Sequence, residues 1–170
     1  MPLIKSINNI TPKILEGVFL ADSAVVVGDV IIGKESSVWF NTVIRGDVNS
    51  IIIGNSVNIQ DGVVVHCTYQ KTKTIIGDNV SVGQNAIIHG CEIRNNVLIG
   101  MGAIIMDNVI IEENSIIAAG AVLTKGTYVK SGSLFAGVPA KFKRSLFEEE
   151  IENSIIKTAE RYKKYLSWYN

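Results

Sequence analysis

Along the chain an aliphatic side chain returns about every six residues. The series runs Val27, Ile32, Val38, Ile44, then Ile53, Ile59, Val65, then Ile76, Val82, Ile88. It continues through Ile93, Ile99, Ile105, Ile111, Ile117, Leu123 and Val129 to Phe135. All 18 anchors are apolar, and the residue two places earlier is mostly small, as in Ser36, Thr42, Ala86, Cys91, Ala103 and Ser115. Residues two apart on a strand share a face, so both positions point inward. Gly follows the anchor at Gly28, Gly33, Gly54, Gly77, Gly83 and Gly100, where the chain must turn tightly. A helix of 3.6 residues per turn cannot use a period of six. The pattern therefore predicts an all-β solenoid of hexapeptide repeats, three short strands to a coil and six coils in all.

The register slips twice. Ile44 to Ile53 is nine residues and Val65 to Ile76 is eleven, so loops of three and five extra residues are expected to leave the coil there. Loops on a rigid frame often carry function, so the chemistry is sought between about 45 and 90. From residue 141 the period becomes helical, with Ile151, Ile155, Ala159, Tyr162, Leu166 and Tyr169 on one stripe. Ser145-Leu146-Phe147-Glu148 reads as a capping box, with acids at the start of the helix and bases toward its end. One domain is expected, with residues 1–140 as solenoid and 141–170 as an amphipathic helix docked on it.

Composition narrows the function classes. The 170 residues carry 16 Lys plus Arg and 16 Asp plus Glu, a net charge of 0, which argues against a surface that tracks nucleic-acid phosphates. A mean hydropathy of +0.28 and 19% charged residues exclude disorder. No apolar run approaches the roughly 20 residues of a membrane span. The opening MPLIKSINN lacks the features of a secretion signal. Two cysteines make no disulfide framework, so a reduced, cytoplasmic protein is expected, with Cys91 as an inner rung and Cys67 opening the second loop.

Counting hexads modulo three assigns each anchor a face. Ile44, Val65 and Ile88 fall on the same face in consecutive coils, and the residues after them are Arg45, His66 and His89. The only two histidines are thereby stacked about 4.8 Å apart in the backbone, close enough to share a metal ion. Two ligands hold a divalent metal poorly, and no third histidine exists. Asp61 and Gln84, two residues after Ile59 and Val82, stack at a neighbouring corner with Gln60 beside them. That corner can reach another subunit and complete a site between chains.

The runs VNIQDGVVVHC (57–67), TIIGDNVSVGQNAIIHGCEI (74–93) and LIGMGAIIMD (98–107), with RGD at 45–47 and AGVPAKFKR at 136–144, resemble the γ-class carbonic anhydrase family. The resemblance covers nearly the whole chain. It implies a left-handed parallel β-helix, a homotrimer, and a zinc (or iron) site shared between subunits, two histidines coming from one chain and one from the next. By position, His66 and His89 match the pair from one chain. Gln84 stands where the third histidine belongs, and its amide oxygen is the weaker donor. Asn58 and Gln60 match polar residues around the metal-bound solvent, and Tyr162 matches a helix tyrosine near the site. Arg45, Asp47 and Asp61 match an intersubunit charge network, a role any trimer interface would also find for them. The acidic proton-shuttle loop of the archetypal enzyme is absent, since CTYQKTKT (67–74) has no carboxylate. The resemblance implies hydration of CO2 to bicarbonate, slow or lost because of Gln84. Two other readings stand beside it. One is an acyl-CoA-dependent acyltransferase, with Lys141, Lys143 and Arg144 near a coenzyme A phosphate. The other is a trimeric scaffold without catalysis.

Overall fold

All the hexad anchors but Val27 turn into the core. In the computed structural model, which describes residues 1–169, every anchor is buried, from Val27 to Phe135. Parallel pairing stacks them in three columns. The first face carries Val26, Ile44, Val65, Ile88, Ile105 and Leu123. The second carries Ile14, Ile32, Ile53, Ile76, Ile93, Ile111 and Val129. The third carries Leu20, Val38, Ile59, Val82, Ile99, Ile117 and Phe135. The result is a left-handed parallel β-helix of about seven turns with one C-terminal helix.

Three local expectations need correction. The first column starts at Val26, which pairs with Ile44, while Val27 pairs with Arg45. An additional coil precedes it, anchored by Ile14 and Leu20, where Pro12 and Val18 stand at the small positions and weaken the pattern. The first insertion is not a loop. The strand Val43–Ile53 runs straight through it, paired with Val25–Ile32 across an irregularity between Gly28 and Val30. Gly28 has φ +75°, and a Cβ there would fall on the carbonyl oxygen of Gly46. Only glycine allows these two backbones so close, and their approach sets the path of Arg45 and Asp47.

The second insertion does leave the coil, between Val64–His66 and Thr74–Ile76. At the C-terminal end the helix begins at Glu148 rather than 141, because Ala140–Ser145 folds back as an antiparallel strand on Ser133–Gly137. The capping arrangement sits two residues later than expected: Phe147 N–H donates to Glu150 Oε2 at 3.1 Å, and Ser145 lies in the strand. Helical residues 148–166 include a wider-wound turn, Ile151–Ile156, and bury Ile155 and Ala159 against the third face.

The central columns leave no slack, since Ile99 and Ile117 are fully buried. Ile99→Val, which removes one methylene, is expected to cost about 0.5–1.5 kcal/mol in chemical denaturation. An unchanged midpoint would mean that the column is not packed around that side chain.

Candidate metal centre

The corner between the first and second faces gathers the histidines. His66 and His89 end adjacent strands, Val64–His66 and Ile87–His89, and are register partners. Their rings stand 5.3 Å apart between centroids, with His66 Nδ1 and His89 Nε2 facing each other at 3.3 Å. Each ring's other nitrogen meets a carboxylate: His66 Nε2 lies 3.1 Å from Asp47 Oδ1, and His89 Nδ1 lies 2.9 Å from Asp107 Oδ1.

This row, Asp47–His66–His89–Asp107, has a proton count that matters. Three contacts between hydrogen-bonding atoms require three shared protons, yet two neutral imidazoles bring only two N–H groups. The contact between the two rings is thus one proton short when both imidazoles are neutral, and an extra proton or another cation would complete it. Burial opposes the extra proton. It is the largest influence on His66 and pushes it below the usual imidazole range, against the pull of Asp47. Two nitrogens bound to tetrahedral zinc at about 2.0–2.1 Å stand roughly 3.3–3.4 Å apart, which is the separation found here. The donor set therefore fits a divalent metal, each imidazole oriented by a carboxylate as metal-ligating histidines commonly are.

The carboxylates are themselves held. Arg45 Nη1 donates to Asp47 Oδ2 at 2.6 Å, so Asp47 grips Arg45 and His66 at once. Asp107 accepts from Thr68 Oγ1 at 2.8 Å and Thr72 Oγ1 at 3.0 Å as well as from His89. Burial raises both carboxyls, but these hydrogen bonds outweigh it and hold Asp47 and Asp107 below the ordinary carboxylate range. Asp107 was not among the expected site residues. Its signal was nonetheless present, since it is the only carboxylate two places past a first-face anchor in the coil after His89. Cys67 is buried, with Sγ 3.5 Å from the Asn49 carbonyl, and is no part of the row. Cys91 is fully buried and its thiol is pushed up to about 12.

The other expected residues lie elsewhere. Gln60, Asp61 and Gln84 follow Ile59 and Val82 at the corner between the third and first faces. Gln60 is almost wholly buried, its Nε2 donating to Asn58 Oδ1 at 2.9 Å, and Asn58 Nδ2 donates to Ser81 Oγ at 2.7 Å. Tyr162 joins them from the helix. It packs edge-on against Trp39 at 5.5 Å and lines a hollow of about 170 Å³ with Asp61, Phe40, Tyr165, Trp168 and Tyr169. Burial, followed by the negative charge of Asp61, raises the Tyr162 hydroxyl above its usual range. Asp61 has no ion-pair partner among the described residues. The expected grouping of Arg45, Asp47 and Asp61 thus splits, with the first two at the histidine corner and Asp61 across the face.

Gln84 lies in the turn before the strand Ile87–His89, at the corner where that strand begins, whereas His89 ends the strand at the opposite corner. Within one chain Gln84 cannot meet the imidazoles, and no group of three or more His, Cys, Asp or Glu able to hold a metal occurs among the described residues. The imidazole pair and the corner of Gln60, Asp61 and Gln84 lie at opposite edges of one face. Between them the outward residues of that face are Val25, Val43, Val64, Ile87, Ile104 and Val122, an unbroken aliphatic row.

Comparison with known proteins places this architecture. Residues 90–125 match the bacterial transferase hexapeptide (six repeats) family model. A probable carbonic anhydrase of Methanocaldococcus jannaschii is 54% identical over 151 residues, which are 89% of this chain and 94% of that protein. The chain belongs to the γ-class carbonic anhydrase-like family. Gamma carbonic anhydrase 2, mitochondrial, of Arabidopsis thaliana is 45% identical over 146 residues, 83% of this chain. The chain spans about half the length of that relative, 52%. Among solved structures, a hexapeptide transferase family protein from Anaplasma phagocytophilum superposes with a TM-score of 0.94 at 43% identity, covering 99% of this chain and 98% of that one. No helix among the described residues is long and apolar enough to cross a membrane.

Proposed function

We propose that the protein is a γ-carbonic-anhydrase-like homotrimer that binds zinc (or iron) between subunits and hydrates CO2 to bicarbonate, slowly because Gln84 is the third donor. The observation that carries the reading is the histidine pair: two nitrogens at metal-sharing distance, each imidazole fixed by a carboxylate on its far side. The aliphatic face between the half-sites supports assembly. A three-fold ring that buries this face sets the histidine corner of one copy against the glutamine corner of the next.

A bound divalent metal supplies Lewis acidity, which makes hydroxide available near neutral pH for addition to CO2. The protein's own groups do the rest. Asp47 and Asp107 keep the protons of His66 and His89 on the outer nitrogens, so that the facing lone pairs stay free for the metal. Gln60, steadied by Asn58 and Ser81, presents a fixed amide from the neighbouring copy to orient CO2 or bicarbonate. Tyr162 and Asp61 stand at the same edge, with Asp61 free to pair with Arg45 of the partner subunit.

Acyl transfer is the weaker reading. Arg144, its proposed phosphate contact, is already engaged by both oxygens of Glu150 at 2.6 and 2.7 Å. Elemental analysis of protein purified without added metal, followed by stopped-flow CO2 hydration, tests the proposal. Substoichiometric zinc or iron with slow hydration is expected. Metal-free protein that takes up no added zinc, or that acetylates an acceptor from acetyl-CoA, contradicts it.

A further inference from the structure

The loop 67–74 lacks the carboxylate that would carry protons, yet it is not idle. Thr68 and Thr72 close on the two oxygens of Asp107, at 2.8 and 3.0 Å, and Asp107 in turn meets His89 Nδ1 at 2.9 Å. Thr74 locks the loop's far end, donating to the His66 carbonyl at 2.6 Å and accepting from Gly90 N–H at 2.9 Å. Gly90, directly after His89, has φ +56°, and a Cβ there would fall on Asp107 Oδ1 and Thr72 Oγ1. The space around this carboxylate is therefore filled by the loop and the glycine together. Asp47, the partner of the other histidine, has no such clamp and leans on the half-exposed Arg45.

We propose that Asp107, held by Thr68 and Thr72, is a positioning residue that fixes His89 as the Nδ1–H tautomer, and that the inserted loop 67–74 serves as its clamp. This rests on the metal-centre reading above. A carboxylate facing Nδ1 can only accept, so the imidazole proton stays on Nδ1 and the lone pair on Nε2 is aimed at His66. Without that carboxylate an imidazole may carry its proton on either nitrogen and loses one orienting contact. The loop does here, by supplying two hydroxyl donors, what a rigid turn could not: it grips a residue two coils further on that the solenoid itself leaves at an open corner.

Nitrogen-15 spectra of the full chain with labelled histidine read the tautomer, and competition with a chelator reads zinc affinity. In the wild type His89 should appear as the Nδ1–H form. Asp107→Ala should shift it toward the Nε2–H form and lower zinc affinity by about 10–100-fold. Asp107→Asn, whose amide oxygen still accepts, should keep the tautomer and recover much of the affinity. Thr68→Val with Thr72→Val should move both readouts in the same direction by less. Unchanged tautomer and affinity in a folded Asp107→Ala variant overturns the proposal, and so does loss of affinity with the tautomer retained. If the wild type binds no zinc, the metal-centre reading fails by itself, while the tautomer comparison still decides the role of Asp107.

Discussion

Replacing Gln84 by histidine is expected to raise zinc affinity by more than about 100-fold, beyond what changes around a metal's ligands usually achieve. The reason is the donor. An imidazole nitrogen replaces an amide oxygen, which gives the three-nitrogen, one-open-position arrangement of catalytic zinc. The substitution should leave the fold intact. Gln84 is half-buried in a turn, and its structural bond, from Gly102 N–H at 2.8 Å, is to its backbone carbonyl rather than its side chain. Stopped-flow CO2 hydration should rise with occupancy, although a loop without a carboxylate keeps proton transfer slow. An unchanged metal content in a folded Gln84→His protein would remove Gln84 from the site.

His66→Ala and His89→Ala should each abolish metal binding in the wild type, and in the Gln84→His background each should abolish the gain. One imidazole and one distant donor cannot hold a divalent ion. These variants separate site from fold because their carboxylates remain occupied. Asp47 keeps Arg45 after His66 is lost, and Asp107 keeps Thr68 and Thr72 after His89 is lost. Thermal unfolding should therefore move little while bound zinc, measured after dialysis, falls to background. Retained zinc in either variant would place the metal elsewhere.

The columns of the solenoid, and the stacking of His66 on His89, were legible in the sequence because a strand's two-residue alternation and a six-residue hexad turn position into geometry by counting. Counting fails where the backbone departs from the hexad. Three valines in a row leave Val26 and Val27 indistinguishable by counting, and the insertion after Ile44 reads equally as a loop or an extended strand until the close approach of Gly28 and Gly46 decides it. Asp107 escaped because its role depends on where loop side chains fold back, and threonines at 68 and 72 carry no periodic signal. The separation of Asp61 from Arg45 has another cause. In the proposed trimer they would meet only across a symmetry axis, which neither the sequence order nor the fold of a single copy reveals.

A metal site divided between copies can be weighed intact by native mass spectrometry. The expected mass is about three times 18.5 kDa, with up to three zinc ions added on titration and held more tightly by the Gln84→His protein. A monomer of 18.5 kDa that binds zinc through His66 and His89 alone, or a trimer that takes up none after Gln84→His, would contradict it.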